Sequence, residues 1–226
     1  MDRLAALTKR RPDPARTAER LIYLVPPVIG VGVVGVLQDA ETGLLPLQWV
    51  LIIIGTIGYA AIVFGLSFTL FVDARDLRPG AGWSPNPWVT AAGVLVAGPF
   101  ALSPFVAIGY LHRRYEHVGV TPGWSGWWTV VALSLGATLF GSVAAIVGLI
   151  LSIPALALTG VALAGAIAFG SFPIAIHQDA AFVAAQGRSW QPNPATYLGL
   201  ALVSLFVPPL QPLLAIYYLL RRRRLR

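Results

Sequence analysis

The sequence predicts an all-α, polytopic helical membrane protein, and composition, charge placement and a repeated pattern all predict it. Hydrophobic residues make up 57% of the chain, charged residues only 11%, and the mean hydropathy is +0.74. Soluble domains carry about 25% charged residues. All nine acidic residues lie at the ends of apolar runs or in the connections between them. The polar residues are therefore too few to cover a water-soluble protein of this size.

Six apolar segments follow one another along the chain, and most reach the roughly 20 residues that a membrane-spanning helix needs. The first is the shortest and contains Pro26 and Pro27. The uncharged stretch 127–176 would extend about 75 Å as one helix, more than twice the thickness of a hydrocarbon core, so we expect a turn near 152–154. Tryptophans lie at the segment edges, as in an interfacial aromatic belt. The predicted segments are 21–38, 47–72, 88–112, 127–152, 155–176 and 195–220.

One sequence pattern occurs twice: a W-x-P-N-P turn, an apolar stretch broken by prolines, and a Y-L-x-R-R ending. The copies begin at Trp83 and Trp190, and an Asp-Ala pair precedes each of them, at Asp73 and Asp179. Such self-similarity predicts one structural unit used twice. The second proline of each turn should begin a helix. The predicted organisation is a basic N-terminal segment 1–20, membrane repeats 21–120 and 121–220, and an arginine-rich tail 221–226.

Two topologies are compatible with these segments. Six simple passes with the N-terminus inside leave Arg113, Arg114 and Arg188 outside, although basic residues prefer the cytoplasmic side. If 88–112 and 195–220 instead enter the membrane and return, all sixteen basic residues lie inside. A proline kink in a full-length helix leaves fewer backbone N–H and C=O groups in need of new hydrogen-bond partners than an apolar hairpin tip inside the membrane does. Six segments in two three-segment repeats are therefore the leading expectation, and four spanning helices plus two re-entrant hairpins are the alternative.

The repeated pattern resembles one found in uncharacterised multi-pass membrane proteins of haloarchaea. The resemblance covers about seventy residues, in the two copies that begin near Asp73 and Asp179. It implies a host and a membrane location. It implies no activity, and no functional residue is carried over from it.

The proline-interrupted parts are where we expect a function. A proline inside a helix removes a backbone hydrogen bond and costs about 3 kcal/mol or more unless neighbours compensate. Breaks at corresponding positions of two repeats are typical of a transporter's binding site, although the prolines could instead only kink packing helices. The candidate pore or substrate residues are Pro99, Ser103, Pro104, Ser204, Pro208, Pro209, Gln211 and Pro212.

No charged residue or histidine lies well inside an apolar segment, so the sequence predicts no proton relay and no buried counter-ion. His112, His117 and His177 are expected to be interfacial polar residues. Cysteine is absent, and no nucleophile, phosphate-loop or dinucleotide pattern occurs. We therefore expect no enzyme activity, no catalytic or metal-binding residue and no cofactor.

The leading functional hypothesis is a non-enzymatic scaffold or accessory component. The alternative is a small channel or transporter for a neutral solute, built around the broken third and sixth segments. The expected partners are the lipid bilayer and either a second copy or a membrane partner protein. The net charge of +7 flanks apolar segments, so no nucleic-acid binding is predicted. The expected location is the cell (plasma) membrane, with multiple passes and both termini in the cytoplasm.

Overall fold

The computed structural model describes residues 13–38, 45–77, 82–187, 189–207 and 209–224, and within these ranges the ordered elements are all helical. Four stretches are long and apolar enough to cross a membrane: Pro14–Val36, Leu47–Asp76, Trp127–Ile150 and Pro154–Ala185. The all-α prediction is therefore confirmed. The helices are α1 (Pro14–Gln38), α2 (Leu45–Asp76), α3 (Pro87–Ala97), α4 (Ser103–Val118), α5 (Trp127–Ile150), α6 (Pro154–Phe169), α7 (Ser171–Ala185), α8 (Pro194–Val203) and α9 (Leu210–Arg223).

Two long antiparallel pairs form the framework of the protein. In the first pair, Gly32 of α1 faces Gly55 of α2, where an added methyl group would lie 2.7 Å from the Gly32 Cα. In the second pair, α5 packs against α6, and α7 continues α6 after Gly170. The turn between α5 and α6 lies where the sequence predicts it, with Ser152 in the left-handed region at φ 55°. The antiparallel pairing follows from these short connections.

The third apolar segment, 88–112, is two helices folded against each other. The hydroxyl of Ser103, at the start of α4, donates to the carbonyl of Val94 in α3 at 2.6 Å, and Val106 packs against Gly93. A short 3-10 turn at Gly98–Phe100 and Ala101, with φ 57°, reverse the chain between α3 and α4. Because α3 has 11 residues, it extends only about 16 Å, roughly half of a hydrocarbon core.

The sixth apolar segment, 195–220, also folds back on itself. Tyr197, near the start of α8, contacts Tyr218, near the end of α9, with ring centroids 5.0 Å apart. Trp190, which precedes α8, lies 5.5 Å from Tyr218, as Trp83 lies 5.1 Å from Tyr110 in the other copy. Since α8 has 10 residues, it extends about 15 Å. We call α3–α4 the first hairpin and α8–α9 the second hairpin.

The W-x-P-N-P turns start both hairpins in the predicted way. The Asn86 side chain accepts hydrogen bonds from the backbone N–H groups of Trp88 and Val89, at 3.0 and 3.3 Å. The Asn193 side chain accepts one from Ala195 at 3.1 Å. Each asparagine satisfies N–H groups that the first helical turn leaves free, and the proline after it loses no helical hydrogen bond.

Both hairpins turn round at about mid-height of the long helices α2 and α5. The hydroxyl of Tyr59, near the middle of α2, donates to the Gly98 carbonyl at the tip of the first hairpin, at 3.3 Å. Residues at the tip of the second hairpin lie beside Thr138, in the middle of α5. Both hairpins then return to the end of the bundle from which they started. We call that end, where Arg114 and Arg222 lie, the arginine end.

Candidate functional site

Each hairpin is attached to the helix before it by a buried carboxylate. In the first copy, Asp73 of α2 accepts hydrogen bonds from the Tyr110 hydroxyl and from Nε of Arg114, both at 2.8 Å. Nη2 of Arg114 also lies 3.5 Å from Oδ1 of Asp13, the residue before α1. These contacts join the end of α2, the returning leg of the hairpin and the start of α1.

The second copy repeats this arrangement with one more hydrogen bond. Asp179 of α7 accepts from the Tyr218 hydroxyl at 2.7 Å, and from Nε and Nη2 of Arg222 at 2.6 and 2.9 Å. The Asp179 side chain is fully buried. The Arg222 guanidinium also lies over the Trp128 ring, 5.7 Å from its centroid. The two-pronged contact with a carboxylate is the geometry in which arginine pairs most strongly.

The prediction that the chain has no buried counter-ion is wrong. Asp73 and Asp179 lie just outside the apolar segments in sequence, but α2 and α7 extend past them and the hairpins cover them. The signal that could have found both clusters is present in the repeat. Its tyrosine and second arginine are four residues apart in each copy, on one helix face, and each copy follows an aspartate.

A second buried polar network connects the two halves of the chain. The Tyr115 hydroxyl donates to Glu19 of α1 and lies 3.5 Å from Nε2 of His177. The Tyr23 hydroxyl lies 2.6 Å from Nδ1 of the same histidine, and Gln178 donates to that hydroxyl at 2.8 Å. His177 is 1% exposed and is thus a buried member of this network, while its predicted position at the membrane interface stays a prediction. This network holds α1, α4 and α7 together near the arginine end.

The hairpins also contact each other directly. The Asn193 side chain donates to the His112 carbonyl at 3.0 Å, and the Thr196 hydroxyl lies 3.0 Å from Nδ1 of His112. Gly199 of α8 packs against Ile108 of α4. The asparagine of the second W-x-P-N-P turn therefore caps its own helix and ties it to the first hairpin.

A cavity of about 480 Å³ opens at the tip of the second hairpin, between that tip and the middle of α5 and α6. Within the described ranges, two buried side-chain atoms have no hydrogen-bond partner, Oγ1 of Thr138 and Nε2 of Gln211, and both residues line this cavity. None of the described residues that line it is ionisable. The lining residues are Thr138, Ser142, Ala145, Ile146, Gly160, Val161, Ala164, Gly165, Ser204, Leu205, Pro209, Gln211 and Pro212.

The structure separates the candidate residues of the two copies. Those of the second hairpin, Ser204, Pro209, Gln211 and Pro212, all line the cavity, whereas Pro208 lies outside the described residues. Those of the first hairpin do not line it. Pro99 belongs to the 3-10 turn, and Ser103 and Pro104 are buried at the start of α4. The tip of the first hairpin is closed by the hydrogen bonds from Ser103 and Tyr59 to backbone carbonyls.

No group of three or more histidine, aspartate or glutamate side chains is placed to hold a metal ion in the part of the chain that the structure describes. No protein-family model, curated protein or solved structure matches this chain. The resemblance to haloarchaeal membrane proteins therefore stays a prediction. The functional argument rests on the cavity and on the contacts that hold the second hairpin in place.

Proposed function

We propose that the chain is an integral membrane protein of two parallel repeats, each with two spanning stretches and one re-entrant hairpin. The folding back of both hairpins supports this topology over six simple passes, because neither α3 nor α8 is long enough to cross a bilayer. In each hairpin the carboxylate cluster brings the return leg back to the arginine end. Since basic residues prefer the cytoplasmic side, that end should face the cytoplasm of a cell membrane.

Single cysteines at three exposed positions test this topology, and the chain has no cysteine of its own. Ser84→Cys and Ser189→Cys lie before the two hairpins, and Ser152→Cys lies in the α5–α6 turn. In intact cells, a membrane-impermeant maleimide should label only Ser152→Cys, and lysis should expose the other two. Six simple passes would instead place Ser84 and Ser152 on one side and Ser189 on the other.

We further propose that this non-enzymatic protein binds a neutral molecule from the bilayer in the cavity beside the second hairpin. The observation that carries this proposal is the mostly apolar cavity of about 480 Å³, whose described lining residues carry no charge and offer a few polar side chains, those of Thr138, Ser142, Ser204 and Gln211. A charged ligand is disfavoured because the described lining residues offer no counter-charge.

The neutral ligand fits the transporter hypothesis, with the site confined to the second repeat. A scaffold or accessory role is the second candidate. The specific observation in its favour is the first hairpin, where Ser103 and Tyr59 donate to backbone carbonyls and close the tip. A solute path that uses both repeats would require the tip of the first hairpin to open. A scaffold would require the same tip to stay closed.

Filling the cavity tests the proposal against a matched control. Gly165 lines the cavity and Gly136 does not, and a Cβ added at either glycine meets nothing within 4 Å. Gly165→Leu should abolish binding of a neutral amphiphile such as 2-undecanone. Binding is measured as the shift that the ketone causes in the thermal midpoint of the protein in lipid nanodiscs, and this shift should be lost in the variant. Gly136→Leu should bind it as the wild type does. If the ketone has the same effect on all three proteins, the cavity is not a binding site and the scaffold role is left.

A further inference from the structure

We propose that a groove between the start of α5 and the end of α9 binds an anionic phospholipid, whose phosphate group pairs with Arg223. The groove has a volume of about 410 Å³, and the described residues that line it are Trp128, Ala132, Leu219, Arg222 and Arg223. None of them lines the cavity beside the second hairpin. The lipid site therefore requires the membrane location of the proposed function but is independent of the ligand of that cavity.

The groove has an apolar wall and a basic outer end. Ala132 lies one turn after Trp128 on α5, and Leu219 lies one turn before Arg223 on α9. Trp128, Ala132 and Leu219 are half-buried, so the wall is open to the surroundings, and Arg223 is exposed at the arginine end. An apolar wall with a cation at its outer end matches a lipid, which carries its charged headgroup above its apolar chains.

The end of α9 carries more positive charge than its acidic partner balances. Four arginines follow one another at 221–224. Arg222 pairs with Asp179, and Arg221 lies over the Tyr217 ring at 5.8 Å. The ion pairs that occur among the described residues do not include Arg223. An arginine near a membrane surface attracts anionic lipids, and its planar fork of N–H groups matches a phosphate group.

The first repeat provides an anion of its own at the corresponding place. Nη2 of Arg114 lies 3.5 Å from Oδ1 of Asp13, just before α1. In the second repeat α5 is the counterpart of α1, and no acidic residue occurs in the sequence between Glu116 and Asp179. A lipid phosphate in the groove would supply the negative charge that Asp13 supplies in the first repeat.

The first repeat also closes the place where the second has its groove. Leu111, which corresponds to Leu219, is fully buried and belongs to the same apolar core as Ala15 of α1. Tyr115 corresponds to Arg223, and its hydroxyl donates to a carboxylate of α1. The apolar wall and the arginine without a carboxylate partner therefore occur together in the second repeat, and the inferred lipid site belongs to that repeat.

The experiment measures the thermal midpoint of the full-length protein in phosphatidylcholine nanodiscs that contain increasing fractions of phosphatidylglycerol with the same acyl chains. The rise in the midpoint gives the preference of the protein for the anionic lipid. The wild type should prefer it about fivefold, as one arginine at a membrane surface implies, and Arg223→Gln should lose most of this preference. Arg113→Gln is the matched control, because it removes the same charge from an exposed arginine at the same end, and it should keep the preference.

Three results would overturn the lipid site. The first is a wild-type midpoint that does not respond to phosphatidylglycerol. The second is an equal loss of preference in Arg223→Gln and Arg113→Gln, which would make the attraction a property of net charge. The third is an equal rise when glycerol phosphate is added to pure phosphatidylcholine nanodiscs, which would identify a soluble phosphate ester as the ligand.

The cavity variant keeps this inference distinct from the proposed ligand site. Gly165→Leu should retain the full response to phosphatidylglycerol while it loses the response to 2-undecanone. If the ketone has no effect on any variant but the response to phosphatidylglycerol depends on Arg223, the cavity proposal fails and the lipid site stands. If Gly165→Leu abolishes the response to phosphatidylglycerol, the lipid does not bind in the groove.

Discussion

Asp179→Ala is expected to lower the free energy of unfolding by about 3–5 kcal/mol, because removing one partner of a buried ion pair leaves the other charge uncompensated. The carboxylate is fully buried and accepts three hydrogen bonds, one from Tyr218 and two from Arg222. Without it, the contact that the described residues still offer the guanidinium is its place over the Trp128 ring. The return leg of the second hairpin then loses its attachment to α7.

Thermal unfolding of the purified protein in detergent, followed by circular dichroism, measures this effect. Asp76→Ala is the matched control, since Asp76 is an exposed aspartate near the end of α2, and we expect it to be almost neutral. The double variant Asp179→Ala/Arg222→Leu should recover part of the loss, because it removes the unpaired charge as well. Equal midpoints for Asp179→Ala and Asp76→Ala would show that the cluster does not hold the hairpin.

Gly160→Leu is expected to prevent the close packing of α5 and α6 and to leave little folded protein. An added Cβ alone would lie 2.4 Å from the Ala145 nitrogen and 2.5 Å from the Gly141 oxygen, both of which belong to the backbone of α5. Backbone atoms cannot rotate away as the end of a side chain can, so the two helices must separate. The smaller change Gly160→Ala should already cost about 1–3 kcal/mol, the usual range for overpacking.

The recovery of monodisperse protein and its thermal midpoint report on this change. Gly136→Ala is the control, because nothing lies within 4 Å of the Cβ that it adds to the same helix pair. It should be neutral or slightly stabilising, since alanine suits a helix better than glycine does. A Gly160→Ala variant as stable as Gly136→Ala would mean that α5 and α6 do not pack closely at Gly160.

Part of the candidate site could be predicted from the sequence. Proline breaks at matching positions of two repeats indicated Ser204 and Gln211, and both line the cavity. The same argument indicated Ser103 of the first copy, which is instead bonded to the Val94 carbonyl. The sequence pattern is the same in both copies. Whether the tip of a hairpin is open or closed depends instead on the side chains of the other helices that pack against it. Thr138 was not predicted, because nothing in the sequence of α5 distinguishes a hydroxyl in a cavity from one in a packed interface.

By itself, the sequence determined the all-α class with stretches long and apolar enough to cross a membrane, the α5–α6 turn and the capped starts of both hairpins. These depend on composition and on local backbone preferences, such as those of proline and of Asn86 and Asn193 at the caps. Only the tertiary structure decided that segments 88–112 and 195–220 fold back. A proline frees backbone hydrogen-bonding groups whether the helix kinks or the chain reverses, so prolines in the sequence do not distinguish a kinked helix from a hairpin. The choice is made by distant partners, Asp73 for the first hairpin and Asp179 for the second, which bind the returning tyrosine and arginine.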